Sequence, residues 1–231
     1  MMDGSVASRL EQVLERIRNA AARAERSPEE IALIAVSKKQ PAEAIRAAYA
    51  AGQVIFGESY VQEGLDKIDA LQDLDIEWHF IGRIQSNKTR QIAASFAWVH
   101  GLSELGHARR LSDQRPADAP PLNVCLQVNL SGESTKAGVD PADLPDLLAA
   151  CTALPRLRVR GLMTLPAPAD DEASQREPFA ALRGLRDQLA SPAQPLPCLS
   201  MGMSDDLEAA ILEGATQVRI GTAVFGPRPY N

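Results

Sequence analysis

The sequence predicts a (β/α)8 TIM barrel with an extra N-terminal helix, and three observations predict it. Short apolar, β-branched runs alternate with helix-forming stretches from residue 31 onward. Eight runs of the first kind and seven of the second are read, the pattern of parallel βαβ units. The length, 231 residues, is one that such a barrel commonly occupies as a single domain. An open doubly wound sheet is the rival arrangement for the same alternation.

A leading helix is predicted over 5–26, because Val6, Leu10, Val13, Leu14 and Ile17 recur at helical spacing with charges between them. Ser27-Pro28 stops it. Strands are predicted at 31–36, 54–56, 78–81, 98–100, 122–130, 159–163, 197–200 and 218–220. Helices are predicted at 42–51, 60–74, 88–95, 103–114, 144–152, 172–190 and 205–213. Pro41 suits the start of the first of these and Gly52 its stop. The Pro-rich stretches 115–121 and 191–197 are loop-sized, so residues 1–231 read as one domain.

Composition narrows the function. Apolar residues make up 45% and charged residues 23%, as in a soluble globular protein. A formal net charge of −6 argues against binding nucleic acid through its phosphates, yet leaves room for a local anion pocket. No apolar run reaches membrane-spanning length, and residues 1–26 are charged and amphipathic, unlike a secretory leader. Cys125, Cys151 and Cys198 are scattered without metal-ligand spacing, and a reducing cytoplasm is expected.

Barrel enzymes draw their chemistry from the loops at the carboxyl ends of the strands. Lys38 follows the apolar run Ile31-Ala-Leu-Ile-Ala-Val-Ser directly. A lysine at the mouth of a strand, partly desolvated, is an amine nucleophile able to form a Schiff base with an aldehyde; alternatively it caps the strand in solvent. Ser200-Met201-Gly202-Met203-Ser204, followed by Asp205, lies between the seventh strand and a helix, and small residues there suit a phosphate or simply a well-capped helix. Arg219, Gly221 and Thr222 stand at the eighth strand, beside that loop in a closed barrel. Arg219 faces a ligand or joins a structural ion pair.

Further polar groups follow other strands. Glu58 and Ser59 follow the second, and Met163-Thr164 end the sixth. The loop from Ser131 through Lys136 to Gly138 reads as a lid or a solvated turn. His79 sits inside a strand-like run, where a histidine is a satisfied core group or a catalytic one. Nothing in the sequence places it near cysteines or other histidines, so no metal site is expected.

Several segments together carry a resemblance: Ala35-Val-Ser-Lys38, Phe56-Gly-Glu58, Tyr60-Val-Gln-Glu63, Trp78-His-Phe-Ile-Gly82, Gln85-Ser-Asn-Lys88, Arg160-Gly-Leu-Met163, Ser200-Met-Gly-Met-Ser-Asp-Asp206 and Val218-Arg-Ile-Gly-Thr222. From about Leu10 to Pro227 the chain resembles the YggS/PROSC family of pyridoxal phosphate homeostasis proteins. The resemblance implies a barrel like the N-terminal domain of alanine racemases and pyridoxal 5′-phosphate (PLP) as cofactor. It implies Lys38 as the Schiff-base lysine, the segment from Ser200 to Ser204 with Gly221 and Thr222 as phosphate-binding loops, and Arg219 near the pyridine nitrogen. Ser59, His79 and Met163 are further candidate contacts. Ser59 departs from the pattern, since the family usually has asparagine there.

A non-catalytic protein of PLP and amino-acid homeostasis is therefore expected, with PLP-accepting apoenzymes as partners. Racemisation needs a second acid/base that alanine racemases take from an additional domain, and these 231 residues read as one barrel. Tyr60 and Tyr230 are the tyrosines considered as substitutes, and neither has a supporting motif. A minimal PLP-dependent amino-acid racemase is the alternative, and a barrel for another phosphorylated metabolite a third.

Overall fold

A computed structural model describes residues 4–131 and 137–227. Lys136 and Tyr230 lie outside the described residues. Helix α1 (Val6–Arg23) leads, capped by the Ser5 side chain on the Ser8 N–H. It buries Leu10, Val13, Ile17, Ala20 and Ala21 along one face, as the spacing predicts. The helix stops three residues before the predicted end, with Glu25 in the left-handed region at φ 54°. A short 3-10 turn at Pro28–Glu30 then delivers the chain to the sheet.

The strands are β1 (Ala32–Val36), β2 (Ile55–Glu58), β3 (Glu77–Phe80), β4 (Trp98–Leu102), β5 (Leu122–Gln127), β6 (Leu157–Met163), β7 (Cys198–Ser200) and β8 (Gln217–Ile220). They alternate with α2 (Ala42–Ala50), α3 (Val61–Ala70), α4 (Thr89–Ser95), α5 (Leu105–Gln114), α6 (Leu144–Thr152), α7 (Glu172–Leu189) and α8 (Leu207–Leu212). A further four-residue helix, α9 (Thr222–Phe225), follows β8 and is too short to show periodicity in sequence. Neighbouring strands pair in parallel from β1 to β8, and β8 returns to β1 through Ala32 with Gln217 and Ile34 with Arg219. The sheet is closed, which settles the choice against an open one.

Strand β5 ends at Gln127 rather than at residue 130. Val128 still donates to the Met163 carbonyl, but Asn129 turns to the Val139 carbonyl instead of continuing the ladder. Gly161 is required where β6 meets β7, since a Cβ there would stand 1.8 Å from the Cys198 carbonyl oxygen. The main core lies between strands and helices, and a second buried cluster of Trp98, Cys125, Met163 and Cys198 gathers strands β4 to β7. Among the described residues no helix is long and apolar enough to cross a membrane.

Candidate functional site

Lys38 sits in a turn gripped from three sides. The Ser37 N–H donates to the Gly57 carbonyl at 3.0 Å, and the Ser37 hydroxyl donates to Glu58 Oε1 at 2.6 Å. Lys67, from α3, donates to the Ser37 carbonyl at 2.7 Å and to Glu58 Oε1 at 2.7 Å. It also pairs with Glu63 one helical turn earlier, at 2.6 Å. Glu63 accepts from the Lys39 backbone N–H, and Lys39 is held at φ 62°. Glu58 is fully buried, and desolvation raises its pKa despite Lys67 and Ser37. Its Oε2 has no hydrogen-bond partner among the described residues. Lys38 itself is half-buried at the end of this frame.

The loops after β7 and β8 meet beside it. Gly202 has φ 96°, and a Cβ there would lie 2.6 Å from the Ala210 Cβ, so the position admits only glycine without strain. Its carbonyl accepts from the Arg219 N–H at 2.9 Å. The Met201 N–H is taken by the Gln217 carbonyl and the Met203 N–H by Asp206. Among the described residues the N–H groups of Gly202, Ser204, Gly221 and Thr222 make no hydrogen bond to protein atoms. Four donors without a protein acceptor on two adjoining loops are chemically suited to an anion. Helix α1 braces both loops. Arg16 donates to the Ser204 carbonyl and pairs with Glu208, while Arg9 donates to the carbonyls of Val224 and Phe225.

Inside the barrel runs a chain of polar contacts. Arg219 Nη1 donates to Ser200 Oγ at 2.6 Å, and Nη2 to the Thr164 carbonyl at 2.9 Å. Ser200 Oγ lies 2.8 Å from His100 Nδ1, His100 Nε2 lies 2.9 Å from His79 Nδ1, and His79 Nε2 lies 2.7 Å from Glu77 Oε1. Strands β4 and β7 are not neighbours, so the contact between Ser200 and His100 passes through the interior. Burial pulls the Arg219 pKa down to about 10 and holds both imidazoles below the usual histidine range.

The structure thus brings Lys38, Gly202, Ser204, Arg219, Gly221 and Thr222 to the carboxyl ends of β1, β7 and β8. The Ser200 hydroxyl instead points into the interior chain, and Met163 packs with Trp98, Cys125 and Cys198. Ser59 is half-buried after β2, its carbonyl pressed against Gly82. His79 does stand beside a second histidine, contrary to the expectation from sequence. The two rings bond directly to each other, and both nitrogens of His79 are taken. His100, Lys67 and Glu63 were missed as site residues; only the Glu63 to Lys67 spacing left a local trace.

A cleft of about 380 Å³ opens at the carboxyl ends of β3 to β6, lined by Gly82, Arg83, Gly101, His107, Gln127 and Leu165 among others. A larger hollow of about 780 Å³ lies between α2 and α3, outside the ring of strands. The three cysteines are buried and unpaired, and burial raises all three pKa values, that of Cys151 to about 11, so none is an activated thiolate.

Residues 9–229 match the family described as "Alanine racemase, N-terminal domain". The chain is 57% identical over 226 residues to the pyridoxal phosphate homeostasis protein of Pseudomonas aeruginosa, covering 98% of this chain and 97% of that one. It is 52% identical over 233 residues to the protein of the same name from Escherichia coli K12, covering 98% of each. Among solved structures, PipY of Synechococcus elongatus PCC7942, determined with PLP bound, superposes with a TM-score of 0.84 at 40% identity, over 96% of this chain and 100% of that one. Alanine racemase from Corynebacterium glutamicum shares the fold alone, at 19% identity and TM-score 0.66, over 95% of this chain and 61% of that one. On these matches and this barrel, the chain belongs to the pyridoxal phosphate homeostasis protein family, within the wider group built on the N-terminal domain of alanine racemase.

Proposed function

We propose that this protein holds PLP covalently on Lys38 and serves intracellular PLP (vitamin B6) and amino-acid homeostasis, without robust turnover of its own. The observation that carries the reading is the convergence of a braced lysine turn with four unfilled N–H donors on the loops after β7 and β8. The relatives' names and the PLP bound in PipY support it. When bound, PLP supplies an aldehyde that condenses with a primary amine, releasing water, and a ring able to withdraw electrons. Lys38 is the amine. Gly202, Ser204, Gly221 and Thr222 hold the phosphate, with Met201 and Met203 shaping the same loop. Arg219 would lie toward the ring nitrogen, where a buried cation would disfavour a further proton and so weaken the electron sink.

Ser59 lines the mouth, whereas Ser200, His79 and Met163 stand behind the contact surface as support. The exposed side chains of Leu165 and Met203 (43% and 38%) leave the mouth open to an incoming amine, as delivery to an apoenzyme requires. We read residues 1–231 as one PLP-binding domain and, from the buried unpaired thiols, place it in the cytoplasm.

The test is spectroscopic. PLP is added to purified protein, the spectrum recorded, the complex reduced with borohydride and the modified peptide mapped. A visible band with the label on Lys38, both lost in Lys38→Ala, is the expected result. A label spread over surface lysines would overturn the reading. Turnover of a chiral amino acid that vanishes in Lys38→Ala would favour the racemase instead.

A further inference from the structure

The interior chain has one polarity, and its two ends fix it. A guanidinium only donates hydrogen bonds, and an ionised carboxylate only accepts them. Ser200 Oγ therefore accepts from Arg219 and gives its own hydrogen to His100 Nδ1. His100 then carries its hydrogen on Nε2 and donates to His79 Nδ1. His79 likewise carries its hydrogen on Nε2 and donates to Glu77. Every donor finds one acceptor, and each ring is neutral with a single hydrogen.

The electrostatics give the chain a purpose. Arg219 is buried, and the partners of its Nη1 and Nη2 are a hydroxyl and a carbonyl, neither of them charged. A buried cation without a contacting counter-ion is costly. Asp206 acts on Arg219 only through space, His100 faces it across Ser200, and Cys125 is a neutral thiol at ordinary pH. Arg160, a like charge, lies over the Trp98 ring beyond. The aligned Ser200, His100 and His79 dipoles turn their negative ends toward Arg219 and finish on the Glu77 carboxylate. Glu77 is held below the usual carboxylate range by His79, helped by the Trp98 indole. Its side chain is about half exposed, 47%, so solvent protons reach it at the amino end of β3. Ser200 is fully buried, so the chain is no nucleophile for an outside substrate.

We propose that Glu77, His79, His100 and Ser200 are positioning residues: they hold Arg219 in one orientation and one charge state toward the bound ring, and couple that state to protons at the opposite end of the barrel. The proposal rests on the PLP reading for its ligand, but the chain itself is a property of the protein alone.

Two measurements test it. Nitrogen-15 NMR of histidine-labelled protein without PLP, with peaks assigned through His79→Gln and His100→Gln, reads which ring nitrogen carries the hydrogen. The Nε2–H form is expected for both rings, untitrated from pH 8 to 6, and Glu77→Gln is expected to move the His100 peaks as well as those of His79. An Nδ1–H form at either ring, or movement confined to His79, overturns the relay. In PLP-loaded protein, Glu77→Gln is expected to shift the midpoint of the visible band's pH titration by about half a pH unit, roughly threefold in proton affinity, for loss of one charge across the interior. Glu77→Asp is expected to restore most of it. A Glu77→Gln midpoint equal to wild type overturns the coupling to the ligand. Absence of any bound PLP in the wild type sinks the PLP reading instead and leaves the NMR result to stand by itself.

Discussion

Two buried polar clusters flank the mouth, and they solve the problem of an interior cation in opposite ways. Under Lys38, Lys67 meets two carboxylates directly, Glu58 at 2.7 Å and Glu63 at 2.6 Å. Under Arg219, the nearest groups are a hydroxyl and a carbonyl, and hydrogen bonds reach a carboxylate at the far end of a run of four. The first arrangement fixes a piece of backbone, the Ser37 carbonyl, and leaves the lysine next to it at the mouth. The second fixes a side chain and keeps strong negative charge away from it. A direct ion pair makes a rigid mount, while a neutral chain keeps the cation's field available for a ligand.

Breaking the first cluster has the largest effect. Lys67→Met strands Glu58 in the interior and is expected to destabilise the fold by about 3–5 kcal/mol in urea unfolding. Restoring most of that loss in Glu58→Met/Lys67→Met would show that the pair, rather than either charge, is the mount. Ser200→Ala cuts the second cluster at one joint, leaving the His100 Nδ1 acceptor and an Arg219 donor unmet, and is expected to cost about 1–3 kcal/mol.

The pH dependence sharpens the contrast, because the two clusters have opposite signs. The folded pKa of Glu58 is raised, so its contribution is fully present below the unfolded value and is lost as pH rises through the folded one. His79 and His100 have folded pKa values below 6.5, so their contribution is present above 6.5 and is lost as pH falls toward the folded values. Each unmatched proton contributes a slope of about 1.4 kcal/mol per pH unit. His100→Gln is expected to remove one proton's slope from the acid side below pH 6.5. Glu58→Gln is expected to remove the opposing slope that begins near the unfolded glutamate value. Unfolding free energies measured from pH 4.5 to 7.5 separate the two, and equal slopes in wild type and both variants would erase the distinction. The smallest effect belongs to the half-exposed brace of the loop after β7: Arg16→Ala is expected to lower stability by about 1 kcal/mol or less, while weakening PLP retention through the freed Ser204 carbonyl.

What the sequence disclosed follows from the same chemistry. Parallel strands buried on both faces read as apolar runs, so the barrel's order was legible almost throughout. Lys38 and Arg219 stood out because a cation at the end of such a run conflicts with its surroundings, and such conflicts mark sites. His100 and Lys67 gave no such sign. The partner of His100 on β7 is 100 positions away in sequence, and the carbonyl that Lys67 holds is 30 positions away. Contacts of that range come from closure of the barrel and leave no local pattern. The contacts of the Ser200 hydroxyl with His100 and Arg219 were hidden for the same reason, because closure of the sheet brings those strands together.

The clasp made by α1 also has a consequence for the order of events during synthesis. Arg9 and Arg16 emerge from the ribosome with the first described helix, yet the carbonyls they hold belong to residues 204, 224 and 225. The seam between β1 and β8 waits for the same late segment. A nascent chain therefore displays Lys38 early, while the loops after β7 and β8 and Arg219 arrive last, so the growing polypeptide has the lysine proposed to hold PLP before it has the groups proposed to hold the phosphate. Capture of the cofactor becomes a late event, reserved for chains whose barrel has closed.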